Sequence, residues 1–382
     1  MRRLVVCLAV LALAGSVAEA KPRKRATRVK KVDKAPPAPP PSIAEPDPLP
    51  AESAAPPGSI RIAAVGDVML GSTFPDDTGG SLAPDDAAGM LDEVASILSG
   101  VDLAFGNLEG PLAEGGISEK CGTKATGRCY AFRSPTRYAA LLAEAGFDVM
   151  SVANNHAMDF GAPGRESSKQ SLAAHGVAST GEPGSWVVVE RGGKKVAVVA
   201  FATYVHSNNL NHLEEAVDLV RRAGAEADLV LVSFHGGAEG ASKSRVPAGP
   251  EMFYSENRGD LRVFCRAVID AGADLVLGHG PHVVRGMEVY RGRLIAYSLG
   301  NFATYGGFNL RGLPGLSLVL EATLAPDGTF VGGRIHPVKQ PWPGGPRLDA
   351  SAEVLPILRG LSRADFAEGA VRIGADGRIA PP

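Results

Sequence analysis

From Ile60 onward the chain repeats one pattern: a short β-branched run, a loop of glycines and polar residues, then an apolar stretch at helical spacing. Runs at 60–65, 101–107, 147–154, 228–234 and 274–279 read as strands. Stretches at 88–98, 135–144, 164–175, 213–223 and 261–271 read as helices between them. Hairpins are expected across Gly192-Gly193, across Arg291-Gly292, and between 314–324 and 329–338. Strands alternating with helices commit a chain to an α/β layered fold, and the hairpins add antiparallel strands.

The regions flanking this pattern differ in kind. Arg2 and Arg3 precede a short apolar run over 4–14, and Ala18-Glu19-Ala20 has the small-x-small form of a cleavage site. Residues 1–20 therefore read as a secretory signal, too short in its apolar part to span a bilayer, and the mature chain is expected to be periplasmic or extracellular. Residues 21–34 hold eight basic residues and one acid. Residues 35–58 are dense in proline and alanine, so 21–58 reads as a basic, then Pro/Ala-rich disordered linker. The net charge of −2 thus hides a basic tail on a mildly acidic domain, 59–345, followed by an extension, 346–382. No nucleic-acid partner is expected. With 45% hydrophobic and 21% charged residues, the composition is that of an ordinary soluble protein.

Cys121 and Cys129 share one Gly-rich stretch, KCGTKATGRCY, and in an oxidising compartment they are expected to pair. The alternative, a metal-binding pair, lacks a second Cys or His pair nearby. Cys265 falls on an apolar helical pattern and reads as a small buried hydrophobe.

The polar residues collect just after the strands. The strand at 60–65 delivers Asp67. The strand at 101–107 delivers Asn107 and Glu109. The strand at 147–154 delivers Asn154, Asn155, His156 and Asp159. The strand at 228–234 delivers His235 and Glu239, and the strand at 274–279 delivers His279 and His282. In α/β sheets, ligands bind beyond the carboxyl ends of the strands, so loops from one sheet can meet in one cleft. Alone, Asp67 or Asn107 would read as a helix cap. Four of the chain's eight histidines fall in these loops, which favours a shared site. Carboxylate, carboxamide and imidazole suit Zn, Mn or Fe, and such an ion makes hydroxide available near neutral pH.

The motifs GDVMLG, GNLEGPL, FRSP, ANNHAMDFG, SFHGG, GHGPHV and YSLGNF occur in that order over about 60–303. This series resembles the bacterial capsule-synthesis, CapA-type family, linked to poly-γ-glutamate capsules and distantly related to calcineurin-like metallophosphoesterases. The resemblance implies a layered β-sandwich flanked by helices, α/β/β/α. It also implies a divalent-metal cleft with Asp67, Asn107 or Glu109, Asn155, His235, His279 and His282 as ligands. His156 would protonate the leaving group, oriented by Asp159. Arg285, Glu239 and Asn301 are candidates for substrate binding, Arg285 because a guanidinium pairs with a carboxylate. Met69 stands where the wider superfamily has a histidine, and Asn107 where it has a bridging aspartate. One metal is therefore expected before two.

Three functions fit this reading. The first is a metal-dependent hydrolase or transferase acting on an anionic envelope polymer. The second is a non-catalytic polymer-binding accessory of a membrane synthase complex. The third is a periplasmic metallophosphoesterase.

Overall fold

The computed structural model describes residues 43–50, 54–75, 80–118, 120–122 and 129–382. They all fall within one contact unit, Ala38–Pro382. The expected signal and basic run lie outside the described residues.

Four parallel strands open the first sheet: β1 (Ile60–Met69), β2 (Leu103–Leu108), β3 (Val149–Ser151) and β4 (Ala178–Thr180). Helices α1 (Asp92–Leu98), α2 (Tyr138–Glu144) and α3 (Gly161–Ala174) connect them. The antiparallel pair β5 (Val187–Arg191) and β6 (Lys194–Ala202) opens a second sheet. There β7 (Leu229–His235) runs parallel to β6, and β8 (Leu275–His279) parallel to β7, after helices α4 (Leu213–Gly224) and α5 (Leu261–Asp270). The hairpin β9 (Met287–Tyr290) and β10 (Arg293–Ala296) completes that edge.

The chain then returns to the first sheet. There β11 (Asn301–Thr304) pairs in parallel with the end of β1, while β12 (Leu316–Leu324) pairs antiparallel with its beginning. The long hairpin partner β13 (Phe330–Lys339) follows. Helix α6 (Val354–Phe366) and the short strands β14 (Arg372–Ile373) and β15 (Arg378–Ala380) end the fold, with β15 on β13.

Side-chain alternation sets the layers. Ile60, Ile62 and Ala64 of β1 enter the seam between the sheets, where they share a core with Val196, Val198, Leu229, Leu231, Leu275 and Leu277. Ala63 and Val65 face the other way, onto Val94, Leu98 and Leu142 of α1 and α2. On the far side, Ala197, Val199, Val230 and Val232 pack against Val220, Phe264, Cys265 and Val268 of α4 and α5. This is the expected α/β/β/α order, and Cys265 is the buried hydrophobe the pattern predicts. Cys121 and Cys129 are disulfide-bonded, with Cα atoms 5.8 Å apart.

Two stretches differ from the sequence reading. The C-terminal stretch carries helix α6, whose Val354, Leu355 and Leu358 join the seam core. Pro356 hides this helix in the sequence, yet it sits in the first turn, where its missing N–H breaks no helical bond. The spacer reading is corrected over residues 43–50. Asp47 carboxylate oxygens lie 2.5 Å from Arg363 Nη2 and 2.7 Å from the Ile373 amide, and Asp47 N–H donates to Ile373 O at 3.0 Å. A charged clamp replaces the apolar burial that this stretch cannot supply.

Candidate metal centre

Strand register assembles the site. Asp67 stands opposite both Asn107 on β2 and Asn301 on β11, and His235 on β7 stands opposite His279 on β8. Parallel strands end on one side, so their terminal side chains converge. The register of β1 shifts between Asp67 and Val68. Close approach here requires glycine: a Cβ on Gly66 would lie 1.9 Å from Gly300 O.

A chain of amides holds Asp67. Asn107 Nδ2 donates to Asp67 Oδ1 at 2.9 Å and lies 3.4 Å from His235 Nδ1. Asn154 Nδ2 in turn donates to Asn107 Oδ1 at 3.1 Å and to Leu108 O at 2.8 Å. His282 Nδ1 lies 3.0 Å from both Asp67 Oδ2 and Asn301 Oδ1. Its Nε2 lies 3.6 Å from Glu109 Oε1 and 4.0 Å from Glu239 Oε2. Asn301 also donates to Pro314 O at 3.1 Å, so it fixes the ring of His282.

Burial and charge oppose each other across this cluster. Burial pushes Asp67 up, but the hydrogen bond and charge of His282, with His279 and His235, hold it at about 2. Burial and the neighbouring Asp67 push Glu109 well above the usual carboxylate range. For His282, burial is outweighed by Glu109 and Asp67, which raise it to about 10. Burial pushes His235 well down.

The donor set fits a divalent cation. Asp67, Glu109 and His282 each offer one ligand atom, and these atoms lie within 4.8 Å of one another. Both Glu109 oxygens, His235 Nε2 and Asn155 Oδ1 are buried with no hydrogen-bond partner. Orphaned buried acceptors are costly, and a hard or borderline cation would satisfy oxygen and imidazole together.

Beside this cluster, His156 Nδ1 lies 2.7 Å from Asp159 Oδ2, which also accepts from Phe132 N at 2.8 Å. Lys120 Nζ is 3.5 Å from Asp159 Oδ1. The Phe132 ring lies 4.2 Å from that of His156 and 5.1 Å from that of Phe308, so an aromatic wall backs the imidazole. Burial lowers His156 despite the pull of Asp159, which leaves the ring neutral at pH 7.

His156, Asn155, Glu239 and His282 line a cleft of about 530 Å³, rimmed by Tyr130, Tyr204, Phe253 and Tyr254. Two expected site residues are committed elsewhere. Arg285 is fully buried and grips Glu251 through two bonds, at 2.7 and 2.8 Å, with Lys243 O and Ala238 O taking other donors. An arginine so engaged has no free fork for a substrate carboxylate. His279 turns inward, with Nε2 3.0 Å from Val65 O and Nδ1 3.4 Å from Ser233 Oγ, and so ties the two sheets together. The strand-end rule did not find Lys120, Phe132, Tyr204 or Arg258, because these come from loops that cross the cleft. FRSP was the one signal, marking Phe132 by motif and not by chemistry.

A four-layer α/β/β/α sandwich with carboxylates, carboxamides and imidazoles gathered at its strand ends defines a layered α/β protein with a candidate metal centre. Within that class, the chain belongs to the family described as "Bacterial capsule synthesis protein PGA_cap", which matches residues 61–305. It is similar to the PGA biosynthesis protein CapA of Bacillus subtilis, 28% identical over 62% of this chain and 61% of that protein. It is also similar to the capsule biosynthesis protein CapA of Bacillus anthracis, 26% identical over 55% of this chain and 52% of that protein. The matches thus span less than two thirds of these relatives. Among solved structures, the NAD nucleotidase of Haemophilus influenzae is similar over 78% of this chain and 55% of that one, with 11% identity and a TM-score of 0.40.

Proposed function

We propose that the chain is an exported, metal-dependent hydrolase or transferase of capsule biosynthesis, acting on poly-γ-glutamate or another anionic envelope polymer. One observation carries the reading. The Glu109 carboxylate is wholly buried, has no hydrogen-bond partner and lies 3.6 Å from His282 Nε2 beside Asp67. A carboxylate in that setting is stable when a cation joins it. A divalent ion held by Asp67, Glu109 and His282 supplies a Lewis acid and a water of lowered pKa. In its protonated form His156 gives a proton to the leaving group, with Asp159 fixing the ring through Nδ1. Asn107 and Asn154 keep Asp67 aimed at the same point. The names of the curated relatives, which speak of PGA and capsule biosynthesis, support the choice of polymer.

The test joins metal content with polymer size. Purified protein is assayed for bound Mn, Zn and Fe, then incubated with poly-γ-glutamate and resolved by size-exclusion chromatography. Metal-dependent shortening that disappears in Asp67→Ala is the expected result. Absence of bound metal overturns the reading. Metal and polymer binding without shortening makes the chain an accessory to a synthase instead. Cleavage near Ala20 is checked by N-terminal sequencing of the exported chain.

A further inference from the structure

Arg258 combines burial with unmet hydrogen-bonding capacity. Its side chain is 1% exposed, and its Nη1 lies 3.0 Å from Glu239 Oε1. The same nitrogen donates to Tyr204 Oη at 3.0 Å and Glu256 Oε2 at 3.2 Å. Nε and Nη2 are buried with no hydrogen-bond partner, and the guanidinium carbon lies 5.9 Å from the centre of the Phe253 ring and 6.0 Å from that of Tyr204. Leaving guanidinium N–H groups unpaired away from water costs more than leaving a neutral donor so. Such an arrangement persists where a ligand completes it.

The position of Arg258 says which ligand. It lines the same cleft as His156, Asn155 and His282, and its charge is felt at Glu109 and His235. Two sets of orphaned atoms therefore share one site. The acceptors of Glu109, His235 and Asn155 call for a cation, and the donors of Arg258 call for an anion. They do not satisfy each other, since neither Glu109 oxygen bonds to Arg258.

We infer that Arg258 is the anion-holding residue of the cleft, presenting Nε and Nη2 to two oxygens of a substrate carboxylate or phosphate beside the cation. This deepens the proposed function and rests on the cleft being the substrate site. A guanidinium edge matches a carboxylate or phosphate with two parallel bonds, which a lysine cannot reproduce. Tyr204 Oη, itself 2.8 Å from Glu256 as donor, and Glu239 clamp Nη1 and so aim the free edge. Glu239, a substrate-binding candidate in the sequence, is then a positioning residue that acts through Arg258. Arg285 resembles Arg258 in type, but Glu251 already fills its fork.

Isothermal titration of the full chain tests this with two probes, orthophosphate and γ-glutamylglutamate, each with and without Mn²⁺. The variants are Arg258→Met, Arg258→Lys and Tyr204→Phe, with folding checked by circular dichroism. Loss of a charge-assisted pair predicts at least about tenfold weaker anion binding in Arg258→Met. Arg258→Lys recovers only part of it, and Mn²⁺ affinity stays within a few-fold in both. The probe whose binding depends on Arg258 identifies the anion as phosphate or carboxylate. If Arg258→Met does not fold, Tyr204→Phe carries the test, and an unchanged affinity there overturns the proposal. Wild-type protein that binds neither probe, or binds both equally well in folded Arg258→Met, also overturns it. Arg258-dependent anion binding without any Mn²⁺ binding upholds it while defeating the metal reading.

Discussion

His282 Nδ1 lies 3.0 Å from Asp67 Oδ2, although the two residues are 215 positions apart. The contact joins the loop after β8 to the end of β1, and it leaves His282 Nε2 facing Glu109 and Glu239. His282 adopts φ 58, a left-handed conformation that costs a non-glycine residue free energy. The contacts to Asp67 and Asn301 offset that cost, so the conformation serves the site.

Glu109→Gln separates metal binding from folding. Removing a buried carboxyl whose pKa is raised relieves the metal-free protein, at about 1.4 kcal/mol per pKa unit at neutral pH. On the proposed metal reading, the same change removes a ligand. Added Mn²⁺ at a hundred times its Kd is expected to stabilise wild type by about 2.7 kcal/mol and Glu109→Gln by far less. Thermal unfolding with and without metal reads both effects. Equal stabilisation of the two proteins would show that Glu109 is not a ligand.

His279 and His282 are expected to behave differently. His279→Ala removes the link to Val65 O and leaves a void in the seam, costing about 2 kcal/mol or more in urea unfolding. Its bound metal is retained. His282→Ala loses the metal instead. Metal lost from His279→Ala with stability intact would make His279 a ligand and not a tie.

The pH dependence follows from His156. Burial holds its pKa below 6.5, against Asp159. A histidine lowered on folding contributes stability above 6.5 that is lost as pH falls through its folded pKa. The acid form is thus scarce at neutral pH. For the proposed activity, kcat/KM is expected to fall as pH rises past a value under 6.5. His156→Gln abolishes that limb, and Asp159→Asn moves it to lower pH. A limb that survives unchanged in His156→Gln assigns the proton to another group.

Replacing Cys121 and Cys129 together by serine opens the loop that carries Lys120 to Asp159. The chain-entropy estimate for so short a loop is about 2 to 3 kcal/mol. Intact mass after alkylation, with and without reductant, checks the bond. Two thiols free without reductant would contradict it.

Much of the site was legible because each candidate follows an apolar strand. Asp67, Glu109, Asn155, His156 and His235 do meet, as parallel strands ending on one side require. The histidine pair of GHGPHV was not separable in sequence. Only the turn after β8 sends His279 into the seam and His282 into the cleft. Arg285 and Arg258 look alike as residues and both are ion-paired, but only Arg285 has its fork filled, because Glu251 lies against it. Helix α6 escaped because proline in its first turn breaks the apolar periodicity.

What the sequence determined alone was the alternation of strands and helices, the faces of each strand, and the chemical kinds of residue waiting at strand ends. Those are local properties, set by side-chain periodicity and backbone preference. The tertiary structure decided which polar groups are paired and which are left over. Pairing depends on contacts between residues far apart in the chain, such as Asp67 with His282 and Arg285 with Glu251. Among the described residues, the unpartnered atoms that gather at the cleft, Glu109 oxygens, His235 Nε2, Asn155 Oδ1 and two nitrogens of Arg258, are where we propose that the protein binds its ligands.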